Sequence, residues 1–259
     1  MPNARTIKIP DGNGNLVSYP IEDVRNKRTR RNISSDLTNL PTAIAEQNLE
    51  KYGYKIGDYF DGPTSQVDGE NKTYRYTIAD KDTFYGGYTS YSVIGTHHIT
   101  LVVDTNTNVK WNETDVTTGG YVASNLPTYL VNKVLPKVKS DITSLFGDWN
   151  AHLLKHSKLF STGDSAWAWS NDVYISALTS VQLHGSPICD MNFYHTGEGN
   201  KPLEVFQDYF YPEILGNQAN WERSVASAGH PCRASNAGNA IGDTGASYSC
   251  GAAGLIIFI

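Results

Sequence analysis

Charged side chains are scarce in this sequence of 259 residues, at 18% against the roughly 25% typical of globular proteins. Cysteine is also rare, with three residues and no Cys-x-x-Cys pair, which disfavours a zinc ribbon or a redox pair. No apolar run approaches the roughly 18–20 residues that a membrane-spanning helix needs. These absences exclude a disordered acidic tail, a coiled-coil rod, collagen, a disulfide miniprotein and a helical membrane span.

Catalytic and metal-binding motifs are missing as well. The sequence has no Gly-x-Ser-x-Gly elbow, no His-Glu-x-x-His, no phosphate-binding loop and no dinucleotide-binding glycine motif. Residues 11–15 resemble the start of a calcium loop, but Leu16 stands where that loop needs glycine, so they are interpreted as a hairpin turn. His152 and His156 have helical spacing without an acidic residue between them. We predict no enzyme activity, no cofactor and no metal.

The cysteines and the N-terminus bear on the compartment. Cys189, Cys232 and Cys250 form an odd set. Cys232 and Cys250 could pair across two strands, although three buried thiols are the commoner arrangement. Residues 1–5 lack the charged-then-apolar layout of a secretory signal, so we expect synthesis in the cytosol without export by the general route.

The polarity of the chain comes instead from uncharged groups, with 16 Tyr, 23 Gly and 21 Asn beside many Ser and Thr. This composition favours β structure with long surface loops. Tyr, Asn, Ser and Gly are also the residues that antibody binding loops favour, because Tyr supplies rigid contact area and the small polar residues supply adaptable hydrogen bonds. Composition alone does not separate a binding surface from a merely loop-rich protein.

Residues 1–50 differ from the rest of the chain. They contain five of the eight arginines and carry a net charge of +1, whereas the remaining 209 residues carry −6. Residues 6–9 and 16–19 alternate around the turn at 11–15, which predicts a β-hairpin. A helix is expected from Ser35 or Asp36 to about Lys51, with Pro41 as the possible first turn of a shorter helix.

Residues 1–50 are too few to bury a core of their own, so we predict an anchoring arm that docks on a partner. The candidate anchor residues form one basic run: Arg25, Lys27, Arg28, Arg30 and Arg31. Such a run can bind nucleic acid. A protein partner is preferred here, because the rest of the chain is acidic and no aromatic residues interleave the run for base stacking.

Residues 51–259 are predicted to form one α+β domain. Alternation and turn signals predict strands at residues 74–78, 91–94, 99–104 and 255–259. An apolar residue at every third or fourth position predicts a helical block over residues 122–145, which Pro127 and Pro136 divide into two helices. Trp167 and Trp169 are expected in a loop, and residues 176–183 in a short helix.

Five short strings, in order, carry a family resemblance over roughly residues 52–259. Residues 54–60 (YKIGDYF) resemble the opening strand of a domain common in tail proteins of phages of Gram-positive and gut bacteria, and in surface proteins of such bacteria. The others are residues 119–126 (GGYVASNL), 168–170 (AWS), 184–185 (HG) and 220–224 (NWERS). The fold that this resemblance implies is C-type lectin-like. One departure is residues 252–254 (AAG), where the family usually has Arg-Pro.

The resemblance implies a compact fold in which the N- and C-terminal strands pair, two helices pack on the sheet, and long loops present a binding face. Related domains bind ligands near their C-termini, and residues 217–250 suit that role. Small residues there alternate with side chains that can stack on, or hydrogen-bond to, a sugar or protein receptor. The candidate ligand-binding residues are Trp221, Arg223, His230, Arg233, Asn236, Asn239 and Tyr248. Trp221 and Tyr248 could instead belong to the core, and for Trp221 the core is preferred.

We therefore expect a phage virion protein, such as a tail or head fibre, a spike or a capsid decoration protein, that attaches to the host. Residues 1–50 would contact other virion proteins, and residues 51–259 would bind a bacterial surface glycan or protein receptor. A homo-oligomer, dimer or trimer, is expected, with no nucleic-acid binding and no membrane insertion. The alternatives are a formylglycine-generating-type oxidase, which would depend on Cys232 and Cys250, and a bacterial surface adhesin.

Overall fold

The computed structural model describes residues 6–10, 16–20, 29–83, 94–163, 166–185, 202–209, 211–216, 218–227, 229–235, 240–241 and 244–259. Contacts divide the chain into two compact units, Met1–Arg31 and Asn32–Ile259. The larger unit combines helices with several sheets, which confirms the α+β class.

The small unit contains a two-stranded antiparallel hairpin. Strand β1 (Thr6–Pro10) pairs with β2 (Leu16–Pro20), and Ile7 lies opposite Tyr19. The predicted hairpin is therefore confirmed. Of the candidate anchor residues, Arg30 is half-buried and Arg31 exposed, whereas Arg25, Lys27 and Arg28 lie outside the described residues.

The boundary between the units differs from the predicted one at residue 50. Helix α1 (Leu40–Ala45) buries Leu40, Ala43 and Ile44 in the same core as Tyr54 of the following segment, so residues 32–50 belong to the larger unit. The helix is also shorter than the predicted one. Pro41 lies in its first turn, as the alternative prediction had it, and the helix stops before Gln47, whose φ of 54° is incompatible with a right-handed helix.

The larger unit contains fourteen described strands. In chain order they are β3 (Tyr59–Asp61), β4 (Ser65–Val67), β5 (Glu70–Lys72), β6 (Arg75–Lys81), β7 (Ile99–Asp104), β8 (Asn108–Lys110), β9 (Leu153–Leu154), β10 (His156–Gly163), β11 (Ala166–Val173), β12 (Asn220–Ser227), β13 (His230–Ala234), β14 (Ala240–Ile241), β15 (Ser249–Gly251) and β16 (Gly254–Phe258). The predicted strands at 74–78, 99–104 and 255–259 are confirmed to within a few residues. The predicted strand at 91–94 lies outside the described residues except for Ile94.

The first five-stranded sheet, the core sheet, has the order β3-β6-β7-β16-β9, and every pairing in it is antiparallel. All five residues of β16 are buried, as expected for an apolar strand between two neighbours. The family resemblance implied direct pairing of the opening and closing strands. Instead, β6 and β7 lie between β3 and β16.

The second five-stranded sheet, the site sheet, has the order β14-β13-β12-β15-β8. Strands β12 and β13 form an antiparallel hairpin, while β15 runs parallel to β12 and antiparallel to β8. Two further two-stranded sheets are β4-β5 and β10-β11. Trp167 and Trp169 lie in β11, paired with β10, so the loop predicted for them is wrong.

The described helices of the larger unit are mostly short. After α1 they are α2 (Gly120–Ala123), α3 (Asn125–Tyr129), α4 (Leu135–Phe146), α5 (Ser180–His184), α6 (Glu204–Asp208) and α7 (Tyr211–Leu215), with a π turn at Leu130–Val134 and 3₁₀ turns at Glu50–Tyr52 and Trp149–Ala151. In the described part of the chain, no helix has both the length and the apolar character that a membrane crossing requires.

The predicted helical block is nearly continuous from α3 to α4, with Ser124 in an extended conformation before it and Pro136 in the first turn of α4. Five of the six residues of its predicted apolar stripe are buried and the sixth, Leu145, is partly buried; the five are Leu126, Leu130, Val134, Val138 and Ile142. The five buried residues recur every four positions. A stripe with that repeat rotates gradually around an ideal α-helix, which has 3.6 residues per turn. The wider π turn in the middle offsets part of that drift and keeps the stripe on the core.

Candidate functional site

Trp221 and Arg223 do not lie on a surface that a ligand could reach. Trp221 is 1% exposed, packs edge-on against Trp111 with ring centroids 5.9 Å apart, and donates its Nε1–H to the Val109 carbonyl at 2.8 Å. Arg223 is also 1% exposed, and its Nη2 lies 3.5 Å from Gln182 Oε1. Trp221 is therefore a core residue, as preferred from the sequence, and the prediction that these two side chains contact a ligand is wrong.

Three consecutive side chains of β12 are buried. Trp221 and Arg223 are two residues apart and would share one face even in a regular strand, so burial of one favours burial of the other. Glu222 between them is buried as well, in a strand with neighbours on both sides. The β12–β13 pairing also shifts register between Trp221 and Val225, so the regular ladder is interrupted there.

Of the three other predicted residues, His230 is the one that the structure describes, and it is not among the described residues that line a pocket. His230 is exposed at the β12–β13 turn, with Nδ1 2.8 Å from Ser227 Oγ. Asn236 and Asn239 lie outside the described residues.

Arg233 and Tyr248 are brought together at an open pocket of about 320 Å³ on the site sheet. Tyr248, at 63%, is the most exposed large hydrophobic residue in the described part of the chain, and Arg233 is half-buried. The remaining lining residues come from the ends of neighbouring strands: Asn108, Gln218, Ala219, Ser249 and Cys250. We call this surface the Arg233–Tyr248 pocket.

The strand order creates the pocket. Strand β15 lies between β12 and β8, with Gly251 opposite Asn220 on one side and Asn108 on the other. A side chain at Gly251 would collide with the Asn220 side chain, so glycine is required for the strands to approach this closely. The Gly251 amide also donates to the Ala219 carbonyl at 2.7 Å, which fixes the segment that carries Gln218.

The turn that carries Tyr248 is hydrogen-bonded to a separate loop, residues 112–115. Asp115 Oδ1 accepts the Ser247 N–H at 2.8 Å, and the Ala246 carbonyl accepts the Asn112 N–H at 2.9 Å. The backbone hydrogen bond from Ser247 lowers the pKa of the Asp115 carboxyl. Asp115 also fills the space beside Gly245, where a Cβ would lie 2.5 Å from Oδ1. Tyr248 is thereby presented to solvent on an ordered turn.

Arg233 is also held in place. Its backbone lies in β13, opposite Trp221 on one side and Ile241 on the other. Its Nε–H donates to Thr244 Oγ1 at 2.5 Å, which fixes the plane of the guanidinium group. The side chain is therefore an ordered donor at the edge of the pocket.

Cys250 forms the buried floor of the pocket. It is 2% exposed, and burial raises the pKa of its thiol to about 11. Behind it, Asn220 Nδ2 donates to the Tyr211 hydroxyl at 3.0 Å. A thiol with so high a pKa is a poor nucleophile at neutral pH, because the reactive species is the thiolate.

The cysteines do not form the pair that the oxidase alternative needs. Cys232 is disulfide-bonded to a residue outside the described ones, whereas Cys250 is a free thiol. Pairing of Cys232 with Cys250 is therefore wrong, and so is the arrangement of three buried thiols. Among the described residues, no three His, Cys, Asp or Glu side chains converge in a way that could hold a metal ion.

A buried polar cluster lies beside Arg223. Ser180 donates to Glu222 Oε2, and His184 Nε2 lies 3.7 Å from Glu222 Oε1. Ser180 begins α5, whose N-terminus is closed by a capping box between Thr179 and Gln182. The serine faces the carboxylate instead of the imidazole, which is not the geometry of an activated nucleophile. We interpret the cluster as support for the inner face of β12.

Sequence reasoning missed the amide, hydroxyl and carboxylate groups of the site: Asn108, Gln218, Ser249 and Asp115. No spacing in the sequence connects them. The one local signal was the small-residue run ending at Tyr248, which is typical of a turn that presents an aromatic side chain.

Comparison with known proteins adds no relative: the chain matches no known protein family, no curated protein and no solved structure at a significant level. The fold and the site together define an α+β domain with an open, polar pocket at one end of the site sheet.

Proposed function

We propose that the chain is a phage virion protein whose larger unit binds a receptor on the host surface through the Arg233–Tyr248 pocket. The observation that carries the proposal is the pocket itself. An exposed tyrosine and a fixed arginine meet over a buried floor, with amide and hydroxyl groups between them. This combination of a rigid aromatic contact with polar donors is typical of recognition surfaces.

The construction of the pocket favours binding over catalysis. The described residues that line it include no carboxylate and no histidine, and its thiol has a raised pKa. General acid–base chemistry needs a group that titrates near neutral pH, and nucleophilic chemistry needs an activated nucleophile. A preorganised surface lowers the entropy cost of binding, because its side chains are already in place.

We propose further that the larger unit is a lectin-like domain, which the five-string resemblance over residues 52–259 supports. In this proposal the small unit and the basic run attach the chain to other virion proteins. Assembly as a dimer or trimer would present several pockets together, and multivalent attachment compensates for weak individual contacts.

Location in the particle is the first test. Purified phage particles should contain the chain by mass spectrometry, and antibody labelling in electron micrographs should place it on the outer surface. Absence from the particles would overturn the virion proposal. Recovery from the bacterial envelope would support the adhesin alternative instead.

Binding is the second test. The labelled full chain should bind host cells, and the double variant Arg233→Gln/Tyr248→Ala should lose that binding. The matched control is Val122→Ala, which removes another large exposed apolar side chain, 53% exposed, from a different element. If the double variant and the control bind as well as the wild type, the pocket is not the receptor site.

A further inference from the structure

We infer that the Arg233–Tyr248 pocket selects an acidic sugar, a glycan residue that carries a carboxylate such as a uronic or sialic acid. This inference rests on the proposed function and adds the chemical class of the ligand. It follows from the charge of the lining, the geometry of the arginine and the position of the tyrosine.

The charge of the lining is the first argument. Among the described residues that line the pocket, Arg233 is the only charged one and none is acidic. The nearby Lys110, which lies opposite Ser249 in the strand pairing, has its Nζ 3.1 Å from Glu113 Oε2. These described lining residues therefore carry one net positive charge within a chain whose net charge is −5. Such a local reversal favours an anion over a neutral or cationic ligand.

The geometry of Arg233 is the second argument. The Arg233 Nε–H donates to Thr244 Oγ1, and the two terminal nitrogens of the guanidinium group remain as further donors at the edge of the pocket. A planar arginine fork matches the two oxygens of a carboxylate in a bidentate pair. One guanidinium balances the single charge of a carboxylate, whereas a phosphate monoester carries up to two negative charges at neutral pH.

The neutral groups account for the rest of a sugar. Asn108, Gln218 and Ser249 supply amide and hydroxyl groups that can both donate and accept hydrogen bonds, as sugar hydroxyls do. Tyr248 presents an exposed ring, against which the apolar face of a pyranose can pack. Together these groups fit a polar ring with one carboxylate better than they fit an extended peptide or a flat hydrophobic partner.

The experiment uses the full chain and pairs of glycans that differ in one group. Oligosaccharides containing glucuronic, galacturonic or sialic acid are immobilised beside the same oligosaccharides with the carboxyl reduced to a primary alcohol. We expect the wild type to bind at least one acidic member about tenfold more tightly than its reduced partner. The preference should fall with increasing salt. Arg233→Gln should abolish it, whereas Arg233→Lys, which keeps the charge and loses the fork, should retain part of it.

Thermal melting of each variant checks that the fold is intact, and Val122→Ala serves as the unaffected control. Equal binding to acidic and reduced partners would overturn the acidic-sugar inference and leave the proposed function standing. Binding to host cells that requires Tyr248, without binding to any acidic glycan, would also overturn it and indicate a different receptor. Absence of host-cell binding by the wild type would overturn the inference and the proposed receptor binding together.

Discussion

Two regions of the larger unit each contain a basic side chain near an aromatic residue, and they differ in whether that basic side chain is ion-paired inside the chain. In the first, which we call the Lys137 network, Lys137 donates to Asp141 at 2.8 and 3.0 Å and to the Pro63 carbonyl at 2.7 Å, while the Tyr76 hydroxyl donates to Asp141 at 2.7 Å. In the second, the Arg233–Tyr248 pocket, the arginine lines an open cavity, and none of the described lining residues is acidic.

The two regions differ in how far their charged side chains are buried. Lys137 and Asp141 are each 2% exposed, so their charges are balanced by each other and by neighbouring polar groups. The network joins α4 to the core sheet and to residue 63, and it leaves no charge for a ligand. The pocket keeps its cation at the surface, where a partner from outside can complete the pair. A charge paired inside the chain contributes to structure, whereas we propose that the accessible charge of the pocket contributes to recognition.

The largest effect should follow from breaking the Lys137 network. Lys137→Met leaves the buried Asp141 carboxyl group without its cationic partner, which costs about 3–5 kcal/mol of unfolding free energy. Urea denaturation followed by circular dichroism measures the loss. The matched control is Lys133→Met, on the same helical run, whose ion pair with Asp68 has a similar length of 2.7 Å but is about half exposed. We expect less than about 1 kcal/mol there. Equal losses in the two variants would contradict the distinction between buried and exposed pairs.

The next largest effect should follow from removing the aromatic side chain of the Arg233–Tyr248 pocket. Tyr248→Ala should weaken binding of the acidic glycan about tenfold, because stacked aromatic contacts of this kind contribute about 1 kcal/mol or more. The melting temperature should stay within 2 °C or so of the wild type, since the side chain is mostly exposed. Tyr248→Phe should keep most of the affinity. Loss of stability without loss of binding would place Tyr248 in the scaffold instead of the site.

A smaller effect is expected from the loop beneath the tyrosine. Asp115→Ala removes the acceptor of the Ser247 N–H, so the turn should loosen, the Ser247 amide should exchange faster, and binding should weaken about threefold. The folded-state pKa of Asp115 is lowered, so its contribution is present at neutral pH and is lost as the pH falls below the ordinary aspartate value near 4. Amide exchange that is equally slow in the variant would contradict this positioning role.

The smallest effect should be the chemical labelling of the Cys250 thiol, which forms the floor of the Arg233–Tyr248 pocket. Because burial raises the pKa of Cys250 to about 11, only about one molecule in a thousand carries the thiolate at pH 8. Iodoacetamide should therefore label Cys250 slowly in the native chain and quickly after denaturation, as measured by mass spectrometry. Rapid native labelling would indicate a reactive thiol and revive an enzymatic interpretation of the pocket.

Local periodicity predicted much of the fold. The hairpin of β1 and β2, the bounds of β7 and the terminal strand β16 follow from alternation and turn residues within a few positions. The buried stripe on α3 and α4 follows in the same way. The boundary after Arg31 was missed because the burial of Leu40 and Ile44 depends on strands that come later in the chain.

The site was predicted only in part, for a related reason. Arg233 and Tyr248 were expected to bind, but Asn108 joins them only because β8 and β12 flank β15 in the site sheet. Arg223 was expected to contact a ligand, but it is buried, two residues after the buried Trp221 in β12. Alternation predicts which residues of a strand share a face, whereas the burial of that face depends on elements distant in the sequence.

The most direct test of the account is hydrogen exchange of the full chain with and without the bound acidic glycan, followed by mass spectrometry. The account predicts slower exchange at residues 231–235 and 245–251 of the Arg233–Tyr248 pocket, with no change at residues 137–142 of the Lys137 network. Arg233→Gln/Tyr248→Ala should remove the protection. Protection that persists in the double variant, or that lies elsewhere in the described chain, would contradict the claim that this pocket is the receptor site.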